Sequence, residues 1–216
     1  MSILSRLRRW ATKRRDRKTR PGEQLFLREA ARLGPGDVAL DCGANVGKFT
    51  LPLARSGARV YAFEPHPAAC AELRRRTREY ANVTVFQAAV TAEPGAVLLY
   101  HHRWDERDAI HWSTGSSLVE GKRNVRSDRH TEVEGIDLAG FIREYGLQRI
   151  RLLKMDIEGA EVDVLNRLLD EGLHTRIDLA FIELHDRQIR ELAGPTQRLR
   201  ERLEGMESHP FRLDWR

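Results

Sequence analysis

Only two cysteines, Cys42 and Cys70, occur in the 216 residues, too few for a disulfide scaffold or a four-cysteine zinc site. No apolar run approaches the roughly 18 to 20 residues that cross a bilayer, which excludes a spanning helix. The N-terminus is studded with arginine and lacks the apolar stretch of a secretory signal, so a cytoplasmic protein is expected. Internal repeats are absent, and low complexity is confined to the basic tail. What is present is 41% apolar and 32% charged residues, the composition of a soluble globular chain. Its length fits one domain with a real core and hardly fits two.

Charge is divided unevenly. Residues 1–20 hold nine Lys or Arg against one Asp, a balance of +8, which leaves 28 basic and 31 acidic side chains in the rest, a balance of −3. The expected organisation is therefore a basic tail or helix over 1–21 and one domain over 22–216. A slightly acidic body argues against a nucleic-acid groove. In the tail, Ile3, Leu4, Leu7, Trp10 and Ala11 share helical spacing among basic residues. Such a helix suits peripheral contact with an anionic membrane at its inner face; a solvated arm is the alternative.

From Glu23 onward the pattern predicts alternating elements. Helices are expected over Glu23–Leu33, Val46–Ser56 and Pro67–Tyr80, with strands over Val38–Cys42, Arg59–Phe63 and Val83–Val90. Ala96–His102 and Thr131–Gly135 read as further strands, separated by a long loop or lid insertion over 103–129. Asp137 caps a helix reaching Tyr145. Strands Ile150–Met155 and Ile177–Leu184 alternate with helices Ala160–Asp170 and Gln188–Leu203, and His209–Trp215 reads as a last strand. The β-α-β-α-β order predicts an α/β fold, a doubly wound, mostly parallel Rossmann-like sheet.

The turn ALDCGANVG (39–47) selects the ligand class. Gly43 and Gly47 allow close backbone approach. Asp41 would repel a pyrophosphate there, whereas S-adenosylmethionine brings a sulfonium and an ammonium that favour a carboxylate. Neither the dinucleotide fingerprint nor the Lys-Ser/Thr of a P-loop is present. In YAFEPH (61–66), Glu64 follows Asp41 by 23 positions, where an acid accepts hydrogen bonds from ribose hydroxyls.

These segments, with LLKMDIEGAE (152–161) and FIELH (181–185), resemble the FkbM-type methyltransferase family over roughly residues 36 to 185. The resemblance implies a class I S-adenosylmethionine-dependent enzyme, most often an O-methyltransferase of sugar or macrolide hydroxyls. It implies a seven-stranded sheet closed by a C-terminal hairpin, for which only one helix and one candidate strand remain after residue 185, so a shortened hairpin is expected. It further implies that Asp41, Gly43, Ala44, Asn45 and Gly47 surround the methionine portion and Glu64 and Pro65 the ribose, with Asp156 a cofactor contact as well as a catalytic candidate. Gln87, Ala88 and Ala89 would face the adenine edge.

Charged groups at the ends of two buried strands are costly unless paired or functional. Lys154, Asp156 and Glu158 alternate at one strand end, and Glu183 and His185 end the next. Methyl transfer needs the acceptor oxygen held behind the methyl carbon, a proximity effect of up to about 7–11 kcal/mol, and a base for the hydroxyl proton. His185 is the first candidate base, with Asp156 and Glu183 as alternatives and Glu158 orienting. A divalent cation on Asp156, Glu183 and His185 is the less favoured mechanism. In the loop, Trp104, His111 and Trp112 and the hydroxyls of Ser116 and Ser117 are candidates for positioning a small-molecule or glycan acceptor. His101 and His102 fall on opposite faces of a strand and do not suit zinc. RNA or protein methylation using the tail, and a non-catalytic binding module, are the rival functions. KMDIEG lacks the Asn/Asp-Pro-Pro-aromatic pattern associated with methylation of base amino groups.

Overall fold

A computed structural model describes residues 20–104, 113, 116–119, 122, 125–213 and 215. The basic tail through residue 19, His111, Trp112 and much of the expected lid lie outside the described residues. Helix α1 (Pro21–Ala30) opens with proline at its first turn, where a missing N–H costs nothing. Strand β1 (Val38–Cys42) follows, then α2 (Thr50–Arg55), β2 (Arg59–Phe63), α3 (Pro67–Thr77) and β3 (Val83–Phe86). Helix α2 starts four residues later than expected because Asn45 (φ 49°) and Gly47 (φ 87°) take left-handed backbone, which no helix continues through.

The expected strand Val83–Val90 breaks at Gln87-Ala88. Its second half is β4 (Ala89–Thr91), which leaves the main sheet and pairs with β6 (Val125–Asp137). Strand β5 (Gly95–His102) runs antiparallel to β6, giving a three-stranded sheet in the order β4-β6-β5. The insertion is therefore shorter than 103–129 at its far end. Residues 125–130 are mostly exposed and polar, so they carry no apolar alternation, and backbone pairing alone makes them a strand.

After β6 come α4 (Leu138–Glu144), β7 (Leu152–Met155), α5 (Glu161–Asp170), β8 (Ala180–Ile182), α6 (Ala193–Glu204) and β9 (Phe211–Arg212). Asp137 caps α4, accepting from the Ala139 N–H at 2.9 Å. The main sheet has the order β3-β2-β1-β7-β8-β9, and every pairing in it is parallel. β9 joins through Ala180↔Phe211 and Phe181↔Arg212, so one parallel strand stands where a closing hairpin was expected, and no antiparallel pair closes the main sheet among the described residues. The strand order reverses between β1 and β7, and the carboxyl ends there frame a crevice.

Both faces of the sheet are covered, which is why its strands read as nearly continuous apolar runs. One face packs Leu40, Phe63, Leu153 and Ile182 against α4, α5 and α6. The other packs Ala39, Val60, Leu152 and Phe181 beneath α1 and α2, with Trp215 closing it. Phe26 is the hub of that second layer, 5.0 Å from Phe49, 5.4 Å from Phe181 and 6.1 Å from Trp215 by ring centroids. No helix among the described residues is long and apolar enough to cross a membrane. Phe26→Ala should cost about 3–5 kcal/mol of unfolding free energy in denaturant titration; a loss under about 1 kcal/mol would contradict this packing.

Candidate active site

A cavity of about 890 Å³, its open mouth included, lies over the carboxyl ends of β1, β2 and β7. Its walls come from Gly43, Ala44 and Asn45 after β1, from Glu64, Pro65 and His66 after β2, and from Lys154, Asp156, Ile157 and Glu158 at the end of β7. Ala89, Val90 and Leu99 contribute an apolar side, and Ser113, Ser116, Ser117 and Leu118 approach from the connection between β5 and β6.

The β1 loop is pinned by close approach. A Cβ on Gly43 (φ 75°) would stand 1.8 Å from the Asp156 carbonyl oxygen, so only glycine lets the β1 and β7 loops touch. The N–H groups of Gly43 and Ala44 both donate to the Phe63 carbonyl, at 3.0 and 2.9 Å. Asn45 N–H then donates to Glu64 Oε2 at 2.8 Å, and His66 N–H to Oε1 at 2.9 Å. Burial pushes the Glu64 carboxyl up to about 7, and these two N–H groups only partly offset it.

Asp41 is fully buried behind the loop rather than on the cavity wall. Its Oδ2 accepts from the Thr50 hydroxyl at 2.6 Å, and its Oδ1 faces Lys154 Nζ at 3.5 Å. Lys154, 2% exposed, also donates to the carbonyls of Cys42 at 3.1 Å and Gly43 at 2.5 Å, and stands 3.9 Å from Asp156 Oδ2. Burial and the neighbouring Asp41 push the Cys42 thiol far above its ordinary range, which leaves it inert.

The β7 loop turns on Glu161, whose carboxylate accepts from the N–H groups of Ile157 at 2.9 Å and Gly159 at 3.0 Å. His185 lies behind this loop. Its Nδ1 is 2.9 Å from Glu161 Oε1, and its Nε2 is 3.0 Å from Glu158 Oε2 and 3.6 Å from Asp156 Oδ1. Buried Lys122 also pairs with Glu158. Burial opposes charge on His185, but Glu158 and Glu161 outweigh it and push the imidazole up to about 11. The ring is a protonated, two-handed donor at neutral pH. Glu158 itself holds left-handed backbone (φ 60°), which is rare outside functional turns.

Other expected residues fall elsewhere. Gly47, Gln87, Ala88, Glu183 and His185 do not line the cavity; Gln87 is exposed, and Ala89 and Val90 form the wall near it. Trp104, 40% exposed, is also outside the lining. One atom each from Asp156, Glu161 and His185 lies within 4.8 Å of the others, so Glu161 takes the place expected for Glu183 in the only metal-compatible cluster among the described residues. The spacing in the sequence could not announce Lys122 and His66, since both owe their positions to the tertiary fold.

A parallel sheet with its crevice at this switch point, and a glycine turn leading to an acid on the next strand, define a Rossmann-like class I methyltransferase fold. The chain belongs to the methyltransferase FkbM domain family, whose model matches residues 41–213. It is 32% identical to the 31-O-demethyl-FK506 methyltransferase FkbM of Streptomyces tacrolimicus, over 76% of this chain and 71% of that protein. It is also 32% identical to the 2-O-methyltransferase NoeI of Sinorhizobium fredii, over 61% of this chain and 57% of that one. The AMB antimetabolite synthetase AmbE of Pseudomonas aeruginosa is 31% identical over 80% of this chain, which spans only 9% of AmbE. Among solved structures, an rRNA methylase from Streptococcus thermophilus superposes with a TM-score of 0.48 at 14% identity, over 88% of this chain and 82% of that one.

Because the folded imidazole titrates far above its ordinary range, its contribution to stability is complete below that range and is lost as pH climbs towards 11. Nitrogen NMR should find both ring nitrogens of His185 protonated through neutral and mildly alkaline pH. A neutral ring at pH 7 would contradict the carboxylate clamp.

Proposed function

We propose that the chain is an S-adenosylmethionine-dependent O-methyltransferase acting on a hydroxyl of a small polar acceptor, a sugar or natural product. The observation that carries this is Glu64, a buried carboxylate presented into the cavity at the tip of β2. Charge supports the ligand class. Lys48 on the wall is paired with Glu23, and Asp41, Glu64, Asp156, Glu158 and Glu161 accompany Lys122, Lys154 and His185, so with that pair counted six acids stand against four bases, an excess of two when all are ionised. That excess suits a ligand with a sulfonium and an ammonium and opposes a pyrophosphate. The names of the relatives NoeI and FkbM, both methyltransferases of oxygen atoms, favour oxygen as the acceptor atom.

In this reading Glu64 accepts from the ribose hydroxyls, Pro65, His66, Ala89, Val90 and Leu99 form the slot for the base, and Gly43 to Asn45 run beneath the amino-acid end. The bound cofactor supplies an electrophilic methyl group on sulfur. The chain's own task is to hold the acceptor oxygen in line and take its proton. Asp156 is assigned as the base, because it lines the cavity while His185, protonated on both nitrogens, has no lone pair to offer. His185 instead orients Asp156 and Glu158. The donor set does not suit a divalent cation: Glu161 already accepts three hydrogen bonds, and both His185 nitrogens are engaged.

Four outcomes are expected. Binding of S-adenosylhomocysteine, followed by calorimetry, should weaken as pH falls below about 7, approaching roughly tenfold per pH unit, because only ionised Glu64 accepts from both hydroxyls. Glu64→Gln should bind weakly with that pH dependence removed; a pH-independent wild type would refute the ribose contact. Asp156→Asn should lower labelled-methyl transfer to a panel of sugar and lactone hydroxyls by about 10²–10⁴-fold while leaving cofactor binding within a fewfold. A chelator should leave turnover unchanged, and its loss would restore the metal mechanism.

A further inference from the structure

Three serines between β5 and β6 reach the cavity, and their hydroxyls have different fates. Ser113 Oγ accepts from Asn45 Nδ2 at 2.9 Å. Ser117 Oγ donates to the Glu158 carbonyl at 2.5 Å and accepts from the Val119 N–H at 3.0 Å. Backbone hydrogen bonds hold the described residues here: Ser116 N–H donates to the Ser113 carbonyl at 3.1 Å, and Ser117 exchanges two hydrogen bonds with Tyr100 at 2.8 and 3.0 Å. Ser116 differs. It is 6% exposed and lines the cavity, yet its Oγ is buried with no hydrogen-bond partner among the described residues. A hydroxyl buried without a partner leaves its desolvation cost unrecovered until a ligand arrives.

The neighbours of Ser116 locate that ligand atom. Ser113 ties the turn to the β1 loop and Ser117 ties it to the β7 loop, whereas the nucleoside end of the cavity belongs to Glu64, Pro65, Ala89 and Val90 from β2 and β4. The β1 and β7 side is the amino-acid end. There the cofactor carries a carboxylate, which needs donors in a cavity otherwise rich in acids. Most side-chain donors on the wall are committed: Lys154 to the carbonyls of Cys42 and Gly43, Lys48 to Glu23, and Asn45 to Ser113. We propose that the Ser116 hydroxyl donates a hydrogen bond to the carboxylate at the amino-acid end of S-adenosylmethionine and its spent form. This rests on the reading of the cavity as a cofactor site.

The test compares two probes by calorimetry, S-adenosylhomocysteine and 5′-methylthioadenosine, the second lacking the amino-acid end and read by competition with the first. Ser116→Ala and the nearly isosteric Ser116→Cys should weaken S-adenosylhomocysteine by about 5- to 30-fold and 5′-methylthioadenosine by less than about twofold. Retained binding of the shorter probe also shows that the variants fold. Unchanged affinity for both probes, or an equal loss on both, overturns the Ser116 contact alone. Failure of the wild-type chain to bind S-adenosylhomocysteine overturns the cofactor reading itself.

Discussion

The buried ammonium of Lys154 holds the two strands flanking the switch point together at their carboxyl ends. It stands on β7, donates to the carbonyls of Cys42 at the end of β1 and of Gly43 just beyond it, and faces Asp41 across the strand pair. In that environment a charge is tolerated only while its partners stay in place, and removing one partner of such a pair typically costs about 3–5 kcal/mol. The arrangement therefore fixes the spacing at which Gly43 meets the Asp156 carbonyl, and with it the floor of the cavity.

Outward from that pair, charge is organised in two ways. Glu158 is clamped by Lys122 and His185, and Glu161 by the loop's own N–H groups and His185, so these two carboxylates brace the β7 loop and are committed to it. Glu64 is different, since it has two backbone donors and, among the described residues, no cation in contact. Its raised folded pKa makes its ionisation a liability to the ligand-free fold: stability falls as pH rises from the ordinary carboxylate range to about 7. Two hydroxyl donors from a ribose would reverse that cost, which couples cofactor binding to stability.

The parallel core was legible because buried strands announce themselves. Val38–Cys42 and Arg59–Phe63 were read to the residue, and the acids ending β1, β2 and β7 marked the crevice edge. Pattern could not reveal that Val83–Val90 is divided between two sheets, since all its residues suit a strand and only tertiary pairing separates them. The polar start of β6 was hidden for the opposite reason, as its pairing with β5 buries little. In the site, residue types were legible and roles were not. Whether His185 is a base or a fixed cation depends on carboxylates that meet it only in the folded chain, and Asp41 reads as a ligand contact until its burial is seen.

The central claim is that this crevice holds the nucleoside of the methyl donor with its ribose on Glu64. A crystal structure of the chain grown with S-adenosylhomocysteine tests it most directly. The account predicts both ribose hydroxyls within hydrogen-bond distance of the Glu64 carboxylate and the amino-acid end over Gly43 to Asn45. A ligand seated with its ribose elsewhere, or a crevice that stays empty at saturating ligand, would contradict it.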